Sequence, residues 1–88
     1  MACVYFNVKG KVQGVWFRQS TKHTAESLSI TGWVRNKTDG SVELIACGED
    51  EALAALEEWL YQGPPAANVE SVSFEKRPLL SFENFQIR

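Results

Sequence analysis

The chain has 88 residues, 44% of them hydrophobic and 23% charged, with a formal net charge of −2. This length bounds it to a single domain over residues 1–88 with one modest core, and the ordinary globular composition argues against disorder. The mild acidity gives no general field for polyanions, so a nucleic-acid partner is not expected, although a small anion held in one local pocket remains open.

From the N-terminus, no apolar run approaches the length of a membrane span. Residues 1–15 lack the basic start and unbroken apolar stretch of a signal peptide, so the expected location is the cytoplasm, with no membrane partner. "VYFNVKG" alternates Val4, Phe6 and Val8 against Tyr5, Asn7 and Lys9, which is the period of a half-buried strand, and it ends at Gly10. The next stretch, "GKVQGVWFRQS", combines glycines with large apolar residues and one arginine. It reads as a loop running straight into a helix. From Phe17 to Leu28 the residues Phe17, Thr21, Thr24, Ala25 and Leu28 follow helical spacing, while Gln19, Lys22, His23 and Glu26 face water.

"ITGWVRNKTDGSVELIAC" carries two β-rich runs split by Asp39 and Gly40, a pair suited to a tight hairpin, so the second and third strands are antiparallel neighbours. In "EDEALAALEEWLYQG" the residues Ala52, Leu53, Leu56, Trp59 and Leu60 share one face. Glu49, Asp50 and Glu51 sit at the end where the helix dipole favours negative charge, and Gly63 with Pro64 and Pro65 ends the helix. "NVESVSFEKR" and "FENFQIR" supply one or two final strands.

The order β-α-β-β-α-β predicts an α+β, ferredoxin-like split βαβ sandwich: a mixed sheet with both helices on one face and room for a fifth, edge strand. In this topology strands one and two run parallel with strand three between them. The loop before the first helix and the end of strand two, near Asn36, are then neighbours. A glycine-bearing turn entering a helix presents several backbone N–H groups to one point, and Arg18 can add a bidentate guanidinium for two anion oxygens.

Two cysteines are too few for a disulfide scaffold and lack the spacing of a zinc or redox pair, so no metal site is expected. Register nevertheless brings them together. Pairing the inward residues of strands one and three (Val8 with Val42, Phe6 with Leu44, Val4 with Ala46) sets Cys3 opposite Cys47 on the other face. Directly opposed Cβ atoms lie roughly 4.5–5.5 Å apart, so a Cys3–Cys47 disulfide needs slight local adjustment, and a reducing cytoplasm would keep the pair as thiols.

"GKVQGVWFR", "TGWVRNKTDGSVE" and the terminal "FQIR" resemble the acylphosphatase family over nearly the whole chain. The resemblance implies a hydrolase that cleaves the carboxyl-phosphate bond of acyl phosphates without a cofactor, metal or covalent intermediate. It implies that the loop Gln13, Gly14, Val15, Trp16, Phe17 and Arg18 wraps the phosphoryl group with backbone amides, that Arg18 clamps it, and that Asn36 holds the attacking water. The expected partner is a small acyl phosphate and the expected state a monomer. Two positions depart from the family pattern: Trp16, where a smaller residue, often glycine, is usual, and Ser29, where a glycine would end the first helix.

Other readings of the same residues exist. A non-catalytic module binding a small anion, or an acyl or carbamoyl phosphate, would use the same loop without turnover. An RNA-recognition module shares the topology, but strand one offers only Tyr5 as a stacking platform and strand three offers none. His23 falls on the water-facing side of its helix. Trp33, Trp59 and Phe74 are read as core and rim packing.

Overall fold

The computed structural model describes residues 1–88. The elements run β1 (Ala2–Lys11), α1 (Phe17–Ser27), β2 (Thr31–Asn36), β3 (Val42–Gly48), α2 (Asp50–Gln62), β4 (Asn68–Arg77) and β5 (Phe85–Ile87). The sheet order is β4-β1-β3-β2-β5, with β5 parallel to β2 and the other pairs antiparallel. This is the expected ferredoxin-like arrangement, and both final segments form strands, one at each margin of the sheet.

Alternation decides what each strand buries. Phe6, Val8, Val34, Val42, Leu44 and Ala46 all point to one face, where they meet Phe17 and Ala25 of α1 and Leu53, Leu56 and Leu60 of α2. Leu56 and Leu60 are fully buried, and each such side chain contributes about 1.5–3 kcal/mol relative to exposure. Trp59 packs beside them, its ring 5.6 Å from that of Phe17. Phe74 departs from the packing expectation: on the marginal strand β4 it has a neighbouring strand on one side only and is 58% exposed.

The end of α1 is also as expected in outline. Ser29 adopts φ 58°, and the bonds from Ile30 N–H to the Ala25 carbonyl and from Ser29 N–H to the Glu26 carbonyl form a Schellman cap. A serine in this left-handed position costs about 1 kcal/mol relative to glycine. The β2–β3 connection differs in detail from a two-residue turn. Only Gly40 has a positive φ, while Asp39 bends the chain through its side chain, accepting from Ser41 N–H at 3.0 Å and Ser41 Oγ at 2.6 Å. Those bonds, the side-chain one first, hold the Asp39 carboxyl below its usual pKa.

The opposite face carries a polar network around Glu43. Burial raises the Glu43 pKa, but hydrogen bonds from the Tyr5 hydroxyl and Arg35 Nε, together with the charges of Arg35 and Lys37, outweigh it and leave the carboxyl below its ordinary range. Tyr5 moves the other way, pushed up to about 12 by burial, by its bond to Glu43 and by that carboxylate's charge. The Arg35 guanidinium lies 4.9 Å from the Trp33 ring, and Arg77 the same distance from Tyr5, so this face presents capped rings rather than free stacking platforms.

The strand register is the one drawn from alternation, including Cys3 opposite Cys47, and the two are joined in a disulfide with Cα atoms 4.1 Å apart. Residues 78–84 run from β4 to β5 on this side: Leu80 N–H donates to Cys3 Sγ at 3.2 Å, and Phe82 packs on the cluster of Cys3, Ile45 and Cys47. The bond joins positions 44 residues apart, a closure worth about 2–4 kcal/mol in the chain-entropy account. Reduction should lower the urea midpoint accordingly and leave activity at 25 °C intact. Equal midpoints for oxidised and reduced protein would show that the bond contributes nothing.

Candidate active site

The site begins where β1 leaves the sheet. A register shift between Lys9 and Gly10 marks an irregularity in the β1–β4 pairing. Gly10 is required there, because a Cβ on it would lie 2.2 Å from the Asn68 carbonyl oxygen. The chain then turns through residues 12–16 into α1. Val12 and Val15 are buried in the core and anchor the turn from beneath.

Around Val15 the backbone alternates in hand. Gly14 has φ 73° and Trp16 φ 67°, so the N–H groups around Val15 are turned toward one side in a concave nest. The N–H groups of Gly14, Val15 and Trp16 donate to no other group of the chain. Trp16 is also the N-cap of α1, with no side-chain cap and no acidic residue in the first turn, so the first amides of the helix have no intrahelical partner. The positive end of the helix dipole therefore adds to the nest.

Gln13 fixes this loop to the β2–β3 connection. Its side-chain nitrogen donates to the Lys37 carbonyl at 2.7 Å and to the Ser41 carbonyl at 2.9 Å. The first acceptor directly follows Asn36, so the loop and the end of β2 are held in one frame. Asn7 reinforces it by donating to Ser41 Oγ at 3.1 Å.

A cavity of about 420 Å³ opens between these parts, lined by Val12, Gly14, Trp16, Phe17, Arg18, Gln19, Asn36 and Ile87. Arg18 makes no ion pair within the chain, whereas Arg35 and Arg77 are matched to Glu43 and Glu75. Asn36 ends β2 on the helix-facing side. Its Oδ1 is buried and accepts no hydrogen bond, which leaves an acceptor aimed at no protein donor.

Of the loop residues singled out from sequence, Gly14, Trp16, Phe17 and Arg18 line the cavity with Asn36; Gln13 and Val15 hold the loop from behind. Val12, Gln19 and Ile87 were not singled out. Gln19 was assigned to water, and a helix of 3.6 residues per turn does place it next to Arg18 at the open end. The alternation of Phe85 and Ile87 was the available signal for the third, since it puts both on the helix side. His23 is exposed and lies along a separate polar groove with Ser20, Trp59 and Pro64.

The cavity therefore offers one cation, a set of backbone donors and the amide side chains of Asn36 and Gln19, with no carboxylate, imidazole or thiol among its lining residues. It suits a compact oxyanion. No group of three or more His, Cys, Asp or Glu comes together elsewhere as a metal-binding cluster.

Comparison with known proteins gives a consistent result. A family model described as Acylphosphatase matches residues 4–87. An acylphosphatase of Xanthomonas oryzae pv. oryzae is 56% identical over 73 residues, covering 83% of each chain. The solved structure of an acylphosphatase from Coxiella burnetii is 46% identical with a TM-score of 0.96, covering 99% of this chain and 92% of that one. The crystal structure of acylphosphatase from Bacillus subtilis, 35% identical, gives a TM-score of 0.97 over 100% of this chain and 99% of that one.

Proposed function

The chain belongs to the acylphosphatase family, and from that premise we propose that Arg18 and the amides of residues 14–18 hold the phosphoryl group while Asn36 positions the attacking water. The overall reaction is hydrolysis of the carboxyl-phosphate bond of an acyl phosphate, releasing a carboxylate and inorganic phosphate.

The observation that carries the residue assignment is the unpartnered, buried Oδ1 of Asn36, in the same cavity as the uncommitted Arg18. A water that donates one proton to this oxygen has its lone pair free to meet phosphorus. As the water oxygen bonds to phosphorus, the bond from phosphorus to the acyl oxygen breaks and its electron pair leaves on the carboxylate. Both water protons end on the phosphate product, which then equilibrates with the buffer. Carboxylates leave readily because their conjugate acids ionise near pH 4, so no general acid is needed. Charge gathered on the equatorial oxygens is met by the nest amides and the Arg18 fork, so positioning and electrostatics supply the catalysis.

We read the protein as a cytoplasmic monomer, residues 1–88 forming one domain, that needs no metal and binds no nucleic acid. The net charge of −2 and the capped rings on the open sheet face support the last of these, and a cavity lined by no carboxylate, imidazole or thiol supports metal independence. No helix is long and apolar enough to cross a membrane.

The test is phosphate release from acetyl phosphate with and without EDTA. Turnover at the same rate in both is the expected result. Binding of acetyl phosphate with no release above the spontaneous rate would favour the non-catalytic module instead.

A further inference from the structure

Trp16 is the one residue of the site whose conformation the fold does not account for. It holds φ 67° and ψ 21°, a left-handed backbone that is unfavourable for a bulky side chain, and its side chain is not used in packing. The residue is 78% exposed and belongs to neither buried cluster. No aromatic ring stacks on its indole and no cation lies over it, although Trp33, Trp59 and Tyr5 all have such partners. A strained backbone carrying a large unpacked ring at the rim of a cavity points to a ligand.

The cavity itself has two poles. Arg18, Gly14 and Asn36 form the polar one, while the exposed apolar surface belongs to Trp16 and to Ile87, which is 37% exposed on β5. A volume of about 420 Å³ is far more than a phosphoryl group fills. Arg18 is the only charged residue lining it, so a second anionic group on the ligand would find no matching cation.

We propose that Trp16 and Ile87, which both line the cavity, form the wall against which the acyl group of the substrate lies, so that the enzyme selects acyl phosphates with a flat or branched apolar acyl group over small or anionic ones. This rests on the reading that the phosphoryl group sits at Arg18. With phosphate held at the polar pole, the acyl group leaves the nest past the loop, and the indole face is the apolar surface it meets. An aryl ring covers that face by offset stacking, while an acetyl methyl group covers little of it.

The experiment compares kcat/KM for benzoyl phosphate and acetyl phosphate in wild type, Trp16→Gly and Trp16→Phe, with inorganic phosphate as competitive inhibitor of each. Glycine suits the left-handed backbone, so Trp16→Gly removes the indole without straining the loop and should melt no lower than wild type. The benzoyl-to-acetyl ratio should fall about tenfold in Trp16→Gly and return most of the way in Trp16→Phe, the size expected for one aromatic contact. A ratio unchanged in Trp16→Gly, or one that glycine and phenylalanine lower equally, would overturn the proposal. Inhibition by inorganic phosphate separates this from the underlying reading. If phosphate competes in wild type and fails to do so in Arg18→Ala, the phosphoryl placement stands whatever the ratio does. If phosphate competes equally in both, that placement falls, and the acyl wall with it.

Discussion

Arg18→Ala should lose about 10³–10⁵-fold in kcat, the range an arginine that meets the charge of a transferring phosphoryl group contributes. Arg18→Lys should recover only a small part, because lysine restores the charge without the planar fork that pairs two oxygens at once. Neither change should disturb folding. Arg18 has no ion pair to lose, and the helix start where it sits makes an unpaired cation mildly unfavourable. Thermal melts alongside steady-state kinetics separate the two effects. Near-normal turnover by a folded Arg18→Lys enzyme would rule out the bidentate clamp.

Asn36→Ala should produce a different pattern. Its proposed partner is water rather than phosphate, so kcat should fall by about a hundredfold or more while the inhibition constant for inorganic phosphate stays close to wild type. Stability should change little, because the Asn36 Oδ1 accepts no hydrogen bond from the chain. A variant that melts like wild type and turns over slower is the signature of a group kept for the reaction rather than the fold. Loss of phosphate affinity in Asn36→Ala would assign the side chain to the phosphoryl group instead.

Residue patterns with a short period were readable before any coordinates. Period two in β1 and β3 aligned Val8 with Val42, and the same count carried through to Cys3 and Cys47. A cradle at Gly14 was suggested by local geometry, because a helix entered from a glycine turn gathers backbone amides, whereas Arg18 read equally well as a surface arginine until the family resemblance was added. Asn36 was not legible in that way. On propensity it is a polar residue near a turn, and only the family resemblance gave it a role; its orphaned oxygen became visible once β2 was placed beside the loop.

What stayed hidden depends on contacts between distant segments. Gln13 fastens to Lys37 and Ser41 across 24 and 28 residues, and nothing in its neighbours signals those acceptors. For Ile87 alternation gave the face but not the place, because it reaches the cavity only through the parallel addition of β5 beside β2. Phe74 alternates like a core residue, and its exposure follows from belonging to the marginal strand, a property of sheet order rather than sequence.

The position of β4 at the sheet margin bears on how the molecule behaves in a crowd of its own kind. Ten residues, Asn68–Arg77, have a strand partner in β1 alone, which leaves an edge able to template a neighbouring chain. Phe74 adds an apolar side chain in that strand. Against this stand Glu70, Glu75, Lys76 and Arg77 along the strand and Pro78 just beyond it, residues that make edge-to-edge pairing unfavourable. That barrier is largely one of charge, and its reach contracts from about 8 Å at physiological ionic strength to about 3 Å in 1 M salt. Colloidal stability therefore depends in part on this strand, and concentrated salt weakens the charge barrier that protects its free edge.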